Sequence, residues 1–381
     1  MISGTRQHEI EALLSERIAA GDFPSAVYLV GERGRIVFEG ALGNALCESE
    51  THTATLDTIY DLASLTKPLI TGLLCARRIE RGEFGLDDRV AQHLAEFDTH
   101  DKQTITIRQL LTHTSGLPAW CPLALITNNE PKRVLDVIAN QTLEAVPGTH
   151  VRYSDLGFIT LGFLLEKLTH ASLAEIAHTE IFAPLELQST FFNPPASLRD
   201  RIAASETGNF YERAMSEEAG LTSEAHNWRE HLIQGEVHDG NAYFLGGAAG
   251  HAGLFSTAHE TFRLVQQFIA CETKLLAPET CVLFRTNMTE GLEEARSIAW
   301  QLAVTEDSTA GVNLSPDSFG HLGFTGTSCW IDPAYERVFV LLTNRTHAHM
   351  LPFTNINAVR RRFHTLAVAA LEEIRTVQDH A

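Results

Sequence analysis

Ser64-Leu65-Thr66-Lys67 places a hydroxyl and an amine three residues apart. On a helix, residues at that spacing share a face. A serine hydroxyl is a weak nucleophile until a neighbour takes its proton. A lysine can be that neighbour when burial lowers its pKa, because desolvation disfavours the ammonium. Lys67 is the only lysine in the chain with a serine at this spacing. It enters a stretch, Leu69 to Cys75, that is apolar on nearly every side, which marks a buried helix. Arg77, Arg78 and Arg81 suit the negative end of that helix, and Gly82 can close it. Chance produces such a pair roughly once in a few hundred residues, so the tetrapeptide needs company.

Two further stretches supply it. Tyr153-Ser154-Asp155 leads into an apolar helix running from Leu156 to Leu165, which Asp155 could cap. A tyrosine at that corner moves protons if a nearby cation favours its phenolate; otherwise it is a packed ring with a satisfied hydroxyl. Near the C-terminus, Phe319-Gly320-His321-Leu322-Gly323-Phe324-Thr325-Gly326 crowds three glycines against a strand start. Close backbone approach by a substrate explains them, and so does a twisted or bulged strand.

The elements that must carry these groups come from both ends of the chain. Gln7 to Ala20 has a helical apolar stripe. Ala26–Val30 and Arg35–Phe38 read as a hairpin about Gly31-Glu32-Arg33-Gly34. Ile298–Val304, Thr327–Ile331 and Val338–Leu342 read as strands, and Asn357–Val377 as a last helix. The middle is mostly helical. The expected fold is therefore α/β (α+β): an antiparallel sheet with flanking helices from both chain ends, plus an inserted helical lobe. The expected division is residues 1–72 with 294–381 as one discontinuous domain and 73–293 as the other, with the site in the cleft between them. The polar stretch Ser205 to Glu236 is the candidate rim or lid.

Taken together and in this order, the three motifs resemble the class C β-lactamase family and its relatives, the DD-peptidases, D-aminopeptidases and serine esterases. That family carries Ser-x-x-Lys, Tyr-x-Asn and Lys-Thr-Gly; here they read Ser64-Leu65-Thr66-Lys67, Tyr153-Ser154-Asp155 and His321-Leu322-Gly323. The stretches Thr106 to Pro118, Gly253 to Thr257 and Trp330 to Pro333 are similar too, and the resemblance runs over roughly residues 8–375. It implies a β-lactamase/transpeptidase-like fold and an acyl-enzyme on Ser64. Lys67 and Tyr153 would handle protons, and the N–H groups of Ser64 and Phe324 would form the oxyanion hole. Gly323 would belong to the substrate-binding strand. No cofactor and no metal are implied.

Two departures bear on substrate. Asp155 replaces an amide by a group that only accepts hydrogen bonds, so it either pairs with Lys67 and keeps it charged or caps its helix. His321 replaces a permanent cation by one present only near its pKa, a poorer anchor for a carboxylate. Both favour an ester or a peptide over a β-lactam. His251, two residues before Gly253, is expected on the cleft wall opposite Tyr153. His238, Asp239 and His251 also invite a metal reading, but no His-x-x-x-His spacing or third carboxylate cluster supports it. His113 and His150 read as structural.

A formal net charge of −19 argues against nucleic acid and anionic membranes as partners, and the resemblance implies a small ester, amide or peptide as substrate. A binding module on the same fold is the competing class. The six cysteines are scattered without a Cys-x-x-Cys pair, the N-terminus lacks a secretory pattern, and a cytoplasmic protein with free thiols is expected.

Overall fold

The computed structural model describes residues 5–48, 50–99, 101–221 and 228–379. Among these residues ten strands are formed. These are β1 (Ser25–Glu32), β2 (Arg35–Leu46), β3 (His52–Thr53), β4 (Tyr60–Asp61), β5 (Phe191–Phe192), β6 (Leu254–Ser256), β7 (Gln301–Leu302), β8 (Phe319–Leu322), β9 (Ser328–Asp332) and β10 (Arg337–Thr343). Seven of them build one antiparallel sheet in the order β3-β2-β1-β10-β9-β8-β7. The two chain ends meet at its centre, where Ala26 to Glu32 pair with Thr343 to Arg337.

Both faces of this sheet are buried, which is why the middles of β1 (Ala26 to Val30) and β10 (Val338 to Leu342) are apolar rather than alternating. Tyr28, Val30, Phe339 and Leu341 face the terminal helices Thr5–Ala19 and Asn357–Asp379, packing with Ile10, Leu14, Phe363 and Leu371. Val27, Leu29, Val340 and Leu342 join the larger core, which includes Leu65, Leu69 and Ile70. Each such side chain removed from water stabilises the fold by about 1.5–3 kcal/mol.

The hairpin is tighter than the expected four-residue turn. Strand pairing continues to Glu32 opposite Arg35. The turn is Arg33-Gly34, both at positive φ (50° and 73°), whose twist matches that of the strands. Gly31 is instead a packing glycine, since a Cβ there would lie 2.3 Å from the Phe262 ring. The helix carrying Phe262, Ala258–Val265, lies against β1 and β10, so the central segment also covers the sheet. The strand expected over 298–304 shrinks to β7. Ala299 takes φ 65° and its N–H bonds to Leu111 O, which breaks the extended run.

In chain order, the segment between β3 and β7 supplies the remaining helices, Asp155–Thr169 among them, and a small sheet in the order β4-β6-β5. Part of the expected rim, Ser205 to Glu236, forms the helix Phe210–Glu218; its residues 222–227 lie outside the described residues. No helix among the described residues is long and apolar enough to cross a membrane.

Candidate active site

Ser64 does not open an α-helix. It sits in a 3₁₀ turn, Ala63–Leu65. Lys67–Gly72 then winds as a π-helix, and α-geometry begins only at Leu73. Such wide turns concentrate at functional sites. The far end closes as expected: Gly82 takes φ 69°, and Glu83 N–H reaches Arg78 O at 3.0 Å.

The turn is held from three sides. Asp61 Oδ1 accepts from Ala63 N–H at 2.8 Å, steadying Ala63 in the left-handed region at φ 48°. A non-glycine residue held there stores strain, commonly beside a reactive group. Thr66 Oγ1 donates to Ala63 O (2.7 Å) and accepts from Leu254 N–H (3.1 Å) on β6. Thr325 and Thr327 donate to Asp61 O and Leu62 O at 2.7 and 3.0 Å, tying the β8–β9 turn to the segment that presents Ser64.

Lys67 is fully buried. Its Nζ donates to Ser64 Oγ at 3.0 Å and to His251 O at 3.1 Å, and lies 2.7 Å from Asp155 Oδ1. Burial pulls its pKa down, but Asp155 and then Tyr153 outweigh burial, and the net shift is upward. Lys67 is therefore an ammonium at rest, not the amine that burial alone would make. Of the two roles open to Asp155, pairing holds, and Ser154 caps the helix by accepting from Gly157 N–H.

Tyr153 faces the same ammonium, with Nζ 4.9 Å from its ring centroid. Burial raises its pKa, the Lys67 charge opposes, and the net effect is upward, so the phenol keeps its proton. His113 stacks on Tyr153 at 4.4 Å and fixes the ring's plane. Its Nδ1 accepts from Ser154 N–H at 3.0 Å, and burial drives its pKa well below the ordinary value. Composition and spacing do not reveal this buttress, because stacking joins residues 40 apart in the chain.

Two cavities open on Ser64. One, about 170 Å³, is lined by Trp120, Asp155, Tyr211, Glu212, Asp239 and Phe324. The other, about 430 Å³, is lined by His321, Gly323, Arg296, Arg345, Arg360 and Asn357, together with Tyr153. The structure thus brings Ser64, Lys67, Tyr153, Asp155, His321, Gly323 and Phe324 to one place.

Profile comparison of the chain against known families matches the beta-lactamase family over residues 10–361. The chain belongs to the beta-lactamase family. An Escherichia coli K12 protein named "Putative D-alanyl-D-alanine carboxypeptidase" is 30% identical over 371 residues, covering 90% of this chain and 83% of its own. Among solved structures, EstCE1, a hydrolase with promiscuous acyltransferase activity, superposes with TM-score 0.72 at 21% identity, over 95% of this chain and 98% of its own. A class C beta-lactamase from Rhodobacter sphaeroides gives TM-score 0.71 at 20% identity, over 95% and 99%. These two share the fold.

Of the expected site residues, His251 is corrected, and Gly323 and His321 gain physical reasons for their types. The His251 side chain does not line the cleft. It is 1% exposed, with Nε2 bonded to Asp239 Oδ1 at 2.8 Å, and it serves Lys67 only through its carbonyl. Burial alone would raise the Asp239 pKa, but His251 and the Ala242 N–H prevail and lower it. Gly323 is required by the protein itself: a Cβ there would lie 2.0 Å from Thr327 Oγ1 and 2.6 Å from Leu62 O. His321 holds no charge near neutrality, since burial, then Lys67 and Arg296, press its pKa well below the ordinary value. The cations on this wall are arginines that the motif comparison passed over. Arg360 comes from the last helix and Arg345 from just beyond β10.

Asp155, Asp239 and His251 lie close enough to share an ion. The Lys67 ammonium already pairs with Asp155 and adds to the lowering at Asp239, so a cation of the protein's own serves this cluster. His238 is separate, with Nε2 2.8 Å from Glu206 Oε2.

Proposed function

We propose that this protein is a serine acyl hydrolase in which Ser64 forms the acyl-enzyme. The observation that carries this is the buried chain Ser64 Oγ–Lys67 Nζ–Asp155 Oδ1, at 3.0 and 2.7 Å, on the wall of an open cleft. An ammonium cannot take a proton, so Lys67 must first give one up. Asp155 is placed to receive it, after which the Lys67 amine takes the Ser64 proton as Oγ attacks the carbonyl. The C–N or C–O bond of the substrate then breaks. Tyr153, still protonated, is placed to give its proton to the leaving atom, and water later supplies the hydroxide and the proton that restore the site. The Ser64 and Phe324 N–H groups would stabilise the oxyanion, commonly the largest single catalytic contribution.

The substrate is a small ester, amide or peptide. The arginine-lined cavity favours one whose leaving group carries a carboxylate, as a D-alanyl-D-alanine peptide does. The two-residue β7 covers only Phe319 and Gly320 of β8, which among the described residues leaves His321 and Leu322 without a strand neighbour on that side, an edge on which an extended substrate could lie.

The test is fluorophosphonate labelling followed by intact mass, with Ser64→Ala as control. Stoichiometric labelling on Ser64 that the variant loses is expected. A folded wild-type protein that takes no label would point to a binding module.

A further inference from the structure

Arg345 and Arg360 are held inside the cleft wall without counter-ions. Arg360 is 5% exposed and bonds only to uncharged groups: Asn357 Oδ1, Gly323 O and Thr327 O. Arg345 likewise meets Phe324 O and Thr354 O. No carboxylate among the described residues forms an ion pair with either. Their neighbour Arg296 differs, because Glu294 already neutralises it at 2.7 Å. The cavity that all three line contains no acidic side chain.

Burial, and then Arg345, push the Arg360 pKa down to about 9, which still leaves the guanidinium charged near neutral pH. Taking an ion from water costs several kcal/mol unless a partner compensates. Two uncompensated guanidiniums in one wall, in a chain of net charge −19, therefore match an anion that arrives with the substrate. Their spacing narrows its chemistry. Arg360 rests on Gly323 O and Arg345 on Phe324 O, so they flank adjacent residues whose Cα atoms are about 3.8 Å apart. A single carboxylate, even one bridging both guanidiniums, would cancel only one of the two positive charges.

Building on the acyl-hydrolase reading, we propose that the leaving group carries two carboxylates a few bonds apart, as in a peptide ending in aspartate or glutamate. Arg360 and Arg345 would each take one by a charge-assisted N–H···O contact from the hydrogens that their backbone partners leave over.

Binding can be measured apart from catalysis with the Ser64→Ala protein. Calorimetry would compare N-acetyl-D-alanyl peptides ending in glutamate, aspartate, glutamine, alanine and alaninamide, with the final residue in both configurations. At least tenfold tighter binding of the glutamate or aspartate peptide than of the glutamine or alanine peptide is expected, in one configuration or both. Equal affinity for glutamate and glutamine peptides would overturn the proposal, as would no binding of any. In the Ser64→Ala, Arg345→Gln protein the glutamate-to-glutamine ratio should fall to about one; an unchanged ratio in a folded variant would also overturn it. If the affinity order holds but wild type neither labels nor hydrolyses, the acyl-hydrolase reading fails while the anion site stands.

Discussion

Lys67 Nζ lies 2.7 Å from Asp155 Oδ1, and that contact keeps the lysine beside Ser64 protonated at rest. Asp155→Asn removes the proton's destination while preserving shape. Turnover of a nitrophenyl ester should fall about 10²–10⁴-fold, the usual contribution of a proton-transfer group. A fall under about threefold would show that the proton goes elsewhere.

Tyr153→Phe keeps the stack on His113 and deletes the hydroxyl. Amide nitrogen must be protonated to leave, whereas nitrophenolate leaves unaided. The variant should lose about 10²–10⁴-fold on an anilide and much less on the matching nitrophenyl ester. Equal losses on both would assign Tyr153 to the attack step instead.

Gly323→Ala would drive a methyl into Leu62 O and Thr327 Oγ1. Either the β8–β9 turn or the Ser64 segment must then move. Overpacking of this kind costs about 1–3 kcal/mol. A lower Tm with fluorophosphonate labelling slowed at least tenfold is expected, and wild-type values for both would show that the contact relaxes harmlessly.

Glu212 lines the smaller cavity, accepts from Gly240 N–H, and has its pKa pushed up to about 7 from 4.5 by burial and then by Asp239. The folded protein therefore binds more protons than the unfolded chain between those values. This group's contribution to stability is greatest below pH 4.5 and declines as pH rises to 7. Measured against wild type, the Tm of Glu212→Gln should gain steadily from pH 4.5 to 7 and level off above. A difference independent of pH would show that Glu212 titrates normally.

The sheet and the Ser64–Lys67 pairing were legible because they rest on local pattern. Period-two burial on both faces leaves an apolar run in β1 and β10, and Ser64 and Lys67 are one turn apart. What chain pattern alone cannot express is whose backbone approaches a glycine. Gly323 reads as room for a substrate and proves to be room for Leu62 O. The charge on Lys67 was undecidable for the same reason: desolvation and Asp155 pull oppositely, and only the 2.7 Å contact says which prevails. Arg345 and Arg360 sit in ordinary-looking sequence, and their lack of counter-ions exists only once the chain is folded.

The pairing of Ala26 with Thr343 sets a schedule for synthesis. A ribosome adding about 5–20 residues per second needs roughly 15–60 s to travel from one to the other. During that interval the apolar strand β1 has its hairpin mate β2 but neither β10 nor the last helix to shield it. The threonines that brace the Ser64 turn, and Arg345 and Arg360 with them, are made only about as late as Thr343. A nascent chain thus exposes a sticky ribbon for tens of seconds, and the cleft cannot assemble around Ser64 until the helix carrying Arg360 has left the exit tunnel.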